Sequence, residues 1–184
     1  MRSVLVLALI ALSACVGGWH KVSLYTNDAY IEAAKRVAIS KFVEDNGIEA
    51  DDVEILSIYT QIVAGTNYKF TYVNRNAPLN GIEETVVYVP LQTMNGISVL
   101  SDELKQQNGI LSLNDPRFSK VHQVVYDAFK ESETQKILKM KRVYYISTEL
   151  ATYFICTAHT PRGEGYYAVT FDKESGEYEL INKL

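Results

Sequence analysis

The stretch YTQIVAGTNYKFTYV, residues 59–73, places one glycine between two runs of strand-forming residues. The aromatic and β-branched residues on both sides predict two antiparallel strands joined by a tight turn. Gly65 lies in the turn sequence A-G-T-N and can adopt the positive φ that a sharp reversal requires. A plain hairpin does not explain an exposed Ile-Val-Ala at the tip, which an ordinary turn would avoid.

The residues before and after this hairpin predict one long helix followed by a meander of strands. Residues 28–46 carry an apolar stripe at helical spacing, with Asn27 or Asp28 as the N-cap and Asn46-Gly47 as the stop. The stripe consists of Ile31, Ala34, Ala38 and Phe42. Strands are expected at about 53–64, 67–75, 84–92 and 97–100.

The same order of elements then repeats. Asp115-Pro116 supplies a cap and a first helical residue, and the stripe of this second helix is Phe118, Val121, Val125 and Ala128. Strands are expected at about 141–151, 152–160, 165–173 and 177–182. The repeat predicts two similar domains, residues 16–101 and 115–184, joined by a polar linker over 102–114.

The N-terminus and the composition limit location and partners. Residues 1–15, MRSVLVLALIALSAC, predict a secretory signal peptide, because a basic start is followed by a short apolar run and small residues. Leu12 to Cys15 also fit a bacterial lipoprotein box, in which Cys15 would be lipidated and would anchor the chain to a membrane. A net charge of −4 does not favour nucleic-acid binding.

The sequence contains no grouping typical of an enzyme. Cys156 lies in YFIC, where alternation predicts a buried strand residue, and His159 falls on the opposite strand face. His20, His122 and His159 share no metal-ligand spacing with cysteines or carboxylates. We therefore expect no catalytic residues, metal or cofactor.

Several short segments together resemble the cystatins, the reversible protein inhibitors of papain-like cysteine proteases. The Gln-x-Val-x-Gly signature of that family is met by Gln61, Val63 and Gly65, and Asn67-Tyr68 follows it. Upstream, the glycines of VGGW match the family's N-terminal glycine. Downstream, Pro90-Leu91 stands where cystatins carry Pro-Trp, so Leu91 departs from the pattern. The resemblance covers residues 16 to about 101 closely and the second half in outline.

The resemblance implies an α+β, cystatin-like fold, with an antiparallel sheet wrapped around one long helix, present twice in tandem. It also implies occlusion of a protease cleft by three pieces without covalent reaction. The residues implied to bind protease are Gly17, Gly18, Gln61, Ile62, Val63, Ala64, Gly65, Pro90 and Leu91. The implied partners are papain-like proteases such as cathepsins, and exchange of hairpins between chains would give a domain-swapped dimer.

The second domain is expected to be degenerate. Residues 147–152, STELAT, replace the first-domain tip and lack its Gln, Val and Gly. Asp172, Lys173 and Glu174 occupy the last hairpin, and charges there would be costly to desolvate in an apolar cleft. The alternative for the whole chain is a non-inhibitory binding module that recognises another protein or ligand. In either case the first tip, including Gly65, is expected to be exposed to solvent.

Overall fold

The computed structural model describes residues 17–91, 93–129, 139–160 and 163–184. The predicted signal peptide, with Cys15, lies outside these residues. Within them are the strands β1 (His20–Val22), β2 (Val53–Val63), β3 (Gly65–Asn74), β4 (Ile82–Pro90), β5 (Ser98–Lys105), β6 (Gly109–Ile110), β7 (Lys139–Ser147), β8 (Ala151–Thr160), β9 (Gly163–Asp172) and β10 (Tyr178–Lys183). The helices are α1 (Ala29–Asn46) and α2 (Pro116–Phe129). No helix in this part of the chain is long and apolar enough to cross a bilayer.

The predicted fold class, a cystatin-like sheet wrapped around one long helix and present twice, is wrong. The described residues form two five-stranded antiparallel sheets, in the orders β1-β2-β3-β4-β5 and β10-β9-β8-β7-β6. Their two helices have only 18 and 14 residues, and no tandem pair of helix-centred domains is found among them. Runs rich in tyrosine and β-branched residues form the strands, which make up 49% of the chain, so strands dominate the architecture.

The described chain divides into two compact units that do not follow the two halves of the sequence. The first unit contains the described part of Met1–Ala50 together with Ser57–Thr71 and Glu84–Glu103. The second contains Asp51–Leu56, Tyr72–Glu83 and Leu104–Leu184. Strands β2, β3, β4 and β5 therefore each contribute residues to both units.

The domain boundaries predicted from the repeat stay a prediction. Residues 102–114, expected to form a linker, include the end of β5 and all of β6.

The predicted helix signals are confirmed, except that Ala128 of the predicted α2 stripe is exposed. The Asp28 side chain accepts hydrogen bonds from the backbone N–H groups of Tyr30 and Ile31, which satisfies two donors at the start of α1. Gly47 ends α1 in a left-handed conformation with φ 62°. The α1 stripe is buried as expected, and in α2 Val121 and Val125 are buried.

The second unit has an apolar core on each face of the sheet β6–β10, because side chains alternate between the faces of a strand. On one face, Val121 and Val125 of α2 pack with Val143, Phe154 and Val169. The core on the other face consists of Leu56, Val73, Ile82, Ile146, Ala151, Tyr153, Ile155 and Ala168. Since both faces are covered, β8 is buried continuously from Ala151 to Ala158.

Candidate functional site

The hairpin between β2 and β3 presents an exposed apolar tip in the first unit. Ala64 alone separates the two strands. Ile62 is 65% exposed and Ala64 is also exposed, whereas Gln61 and Val63 are half-buried. The exposed apolar surface of the tip is therefore supplied mainly by Ile62, with Val63 turned partly inward.

Gly65 is buried, which corrects the expectation that the whole tip is exposed to solvent. Its φ is 143°, a conformation that side-chain-bearing residues rarely adopt. A Cβ at this position would lie 2.5 Å from Tyr88 Cε2 and 2.6 Å from the Val89 carbonyl oxygen. Only glycine lets β3 start this close to β4, so its role is to hold the tip in place.

The N-terminal segment reaches the same tip. The Gly17 backbone N–H donates a hydrogen bond to the Ile62 carbonyl oxygen, with an N–O distance of 3.3 Å. Gly17 and Gly18 are both exposed, and a Cβ on either would meet nothing within 4 Å. Trp19 follows, and Lys69 Nζ of β3 lies 4.7 Å from the centre of its ring. This cation–π contact ties the segment to the hairpin.

The end of β4 completes the arrangement. Tyr88 donates its hydroxyl hydrogen to the Ala64 carbonyl oxygen at 2.6 Å. Pro90, the last residue of β4, is half-buried, and Leu91 beyond it is 66% exposed. The structure therefore brings Gly17, the tip and the β4 strand end together through direct contacts. We define Gly17-Gly18, Gln61–Gly65 and Pro90-Leu91 as the apolar rim.

Sequence reasoning missed Tyr88, Asn67 and Trp19 as supports of this rim. Alternation predicts that Tyr88 points away from the core, but it does not reveal that its hydroxyl reaches a carbonyl on another hairpin. Asn67 Nδ2 donates to Gln61 Oε1 at 3.1 Å, so the Gln61 side chain braces the hairpin from within. The pair Asn67-Tyr68 was noted only as part of the resemblance.

The tip carries no charge at neutral pH. Residues 59–68 contain no Asp, Glu, Lys, Arg or His. Burial, and after it the negative charge of Asp28, raises the pKa of the Tyr68 phenol, so this group stays neutral. A neutral surface is cheaper to remove from water than a charged one.

The corresponding turn of the second unit differs from this tip. Its residues Thr148, Glu149 and Leu150 connect β7 to β8. The Lys173 backbone N–H donates to the Leu150 carbonyl oxygen at 3.0 Å, and Lys173 Nζ donates to the Thr148 carbonyl oxygen. This turn is thus bonded to its neighbouring hairpin, and Leu150 is half-buried.

The cysteine and histidines considered for catalysis lie in different surroundings. Cys156 is fully buried, and burial raises the pKa of its thiol, which keeps it protonated and unreactive. His159 is exposed near the end of β8, and His20 is exposed on β1. The His122 ring stacks on Tyr126 of the same helix, with ring centroids 6.2 Å apart.

No protein-family model matches this chain.

Proposed function

We propose that this protein is a reversible, non-covalent inhibitor of papain-like cysteine proteases, which blocks the substrate cleft with the apolar rim. The observation that carries the proposal is the direct contact among three segments far apart in sequence. The Gly17 N–H bonds the Ile62 carbonyl oxygen, and the Tyr88 hydroxyl bonds the Ala64 carbonyl oxygen. A preformed surface of this kind loses little conformational entropy when it binds.

The two most exposed side chains of the rim supply its apolar area. Ile62 and Leu91 are 65% and 66% exposed, and they lie at the ends of separate strands. Removing such side chains from water supplies about 1–2 kcal/mol each. The choice of protease class rests on the Gln61-x-Val63-x-Gly65 signature and its resemblance to cystatins.

The test is a titration of papain and of a cathepsin with residues 16–184, with residual activity followed on a fluorogenic substrate. We expect saturable inhibition that disappears on dilution, because no covalent bond is formed. Trypsin serves as the control and should keep its full activity. If micromolar protein leaves every papain-like protease fully active, the non-inhibitory binding module becomes the better description.

A further inference from the structure

A cavity of about 310 Å³ lies in the second unit, and nothing proposed above uses it. It lies on the sheet face that carries the core around Ile146 and Ile155, and Leu79 both packs against that core and lines the cavity. The residues lining it are Leu79, Lys141, Arg142, Tyr144, Thr157, Glu164 and Tyr166. Its volume is at the lower end of the range for small-molecule sites.

The Leu79 wall of the cavity is held in place by two contacts. Gln107 Nε2 donates a hydrogen bond to the Leu79 carbonyl oxygen at 2.5 Å. Gly81 follows the short 3₁₀ turn Pro78–Asn80 with φ 122°, and a Cβ there would lie 2.6 Å from the Lys105 carbonyl oxygen. Because this approach admits only glycine, the wall has one position relative to β5. These contacts fix the backbone of the Leu79 wall.

Two cationic side chains line this cavity at a β-bulge in β7. Met140 pairs with Ala158 and Arg142 pairs with Thr157, so Lys141 is the additional residue. Met140 and Val143 both point into the core around α2, while Lys141 and Arg142 between them are exposed. Arg142 pairs in regular register with the rest of β7, so alternation places it on the face opposite Val143, and the bulge adds Lys141 beside it.

The lining combines positive charge with aromatic surface. Arg142 Nη1 lies 3.4 Å from the Tyr144 hydroxyl, and among the described residues no carboxylate forms an ion pair with Arg142. Lys141 Nζ is 3.2 Å from Glu164 Oε1, but both side chains are about half exposed. Exposed pairs of this kind contribute little, so an incoming anion can displace Glu164.

We propose that this cavity binds small organic carboxylates that carry an aromatic body. A guanidinium offers two parallel N–H donors to a carboxylate, and Arg142 would hold the ligand in this way. The rings of Tyr144 and Tyr166 would pack against the aromatic body, with Leu79 at the closed side. Lys141 would add a second positive charge once Glu164 moves away.

The probe is N-acetyl-L-phenylalanine, titrated calorimetrically into residues 16–184 at low salt, with its uncharged amide as the matched ligand. We expect saturable binding of the acid and at least about tenfold weaker binding of the amide. Equal binding of acid and amide, or no binding of the acid at millimolar concentration, would overturn the proposal.

Two variants with opposite expected effects sharpen the test. Arg142→Gln should weaken binding by about tenfold or more, whereas Glu164→Gln should tighten it because the competing carboxylate is removed. Lys120→Gln, an exposed charge change on α2, is the control and should leave affinity unchanged. A Glu164→Gln protein that folds normally and binds more weakly would refute the assigned role of Lys141.

A carboxylate beside an aromatic ring occurs both in free aromatic acids and at the C-terminus of a peptide that ends in an aromatic residue. Acetyl-Gly-Gly-Phe with a free carboxyl group separates these sources. Tighter binding of this peptide than of N-acetylphenylalanine would assign the cavity to peptide ends, and weaker binding would assign it to free acids. Either result supports carboxylate recognition, provided that Arg142→Gln reduces it.

Discussion

Replacing Ile62 by alanine should weaken protease inhibition without affecting the fold. Full burial of an isoleucine side chain is favourable by about 1.5–3 kcal/mol. Because 65% of Ile62 is exposed in the free protein, roughly two-thirds of that gain, about 1–2 kcal/mol, is left for a protease cleft to supply. The inhibition constant should therefore rise about 5- to 30-fold. The hydrogen bond from Gly17 uses the Ile62 carbonyl oxygen and is kept in the variant.

The assay compares inhibition constants and melting temperatures of the wild type, Ile62→Ala and Ile110→Ala. Ile110 is the matched control, since it is also an exposed isoleucine, 54% exposed, on β6 of the second unit. Both variants should melt within a few degrees of the wild type, because exposed substitutions usually change stability by less than about 0.5 kcal/mol. Equal inhibition by both variants would show that Ile62 does not enter the cleft and would refute the reasoning.

Four further outcomes are expected. Gly65→Ala should lower the melting temperature and inhibition together, at a cost of about 2 kcal/mol or more, because φ 143° and the close approach of Tyr88 exclude a Cβ; unchanged calorimetric melting would contradict this. Tyr88→Phe removes the hydroxyl bond to Ala64 and should weaken inhibition by about 0.5–1.5 kcal/mol with the fold intact, a loss that the inhibition constant measures. Leu91→Trp should slow dissociation of the protease complex, because Leu91 is 66% exposed and an indole ring adds buried area without disturbing the core. Faster dissociation of a stable variant would exclude this residue from the interface. Cys156 should react with iodoacetamide only after unfolding, because burial raises the pKa of its thiol, and mass spectrometry of the native protein should find it unmodified.

The positions of both helices and of most strands could be predicted because they depend on local patterns, whereas the short strands β1 and β6 had no predicted counterpart. The caps at Asp28 and Gly47 and the stripe of α1 depend on residues within a few positions of each other. The predicted strand 165–173 is found as β9, Gly163–Asp172, for the same reason. The fold class was wrong because it depends on which elements bury each other. Local periodicity does not predict that Leu56 and Tyr153 lie in the same core cluster.

The hairpin tip of the candidate site could be predicted from the sequence, but the long-range contacts that hold the tip in place could not. The motif predicted that Gln61 to Gly65 form a hairpin tip, and residues 61–65 do span the junction of β2 and β3. The burial of Gly65 arises from Tyr88 and Val89 of β4, more than twenty positions away, and no spacing rule predicts such a contact. The bulge at Lys141 likewise depends on pairing with β8, and it adds Lys141 between two residues that pair with neighbouring positions of that strand.

Strands β2, β3 and β4 are shared between the two compact units, and this sharing affects what happens when the chain is cleaved. Chain cleavage near residue 103 would leave Leu56, Val73 and Ile82 on the N-terminal piece without Ile146 and Tyr153, the side chains that bury them. Apolar strands uncovered in this way readily pair with other chains and aggregate. We therefore expect that cleavage near residue 103 leaves neither half stably folded.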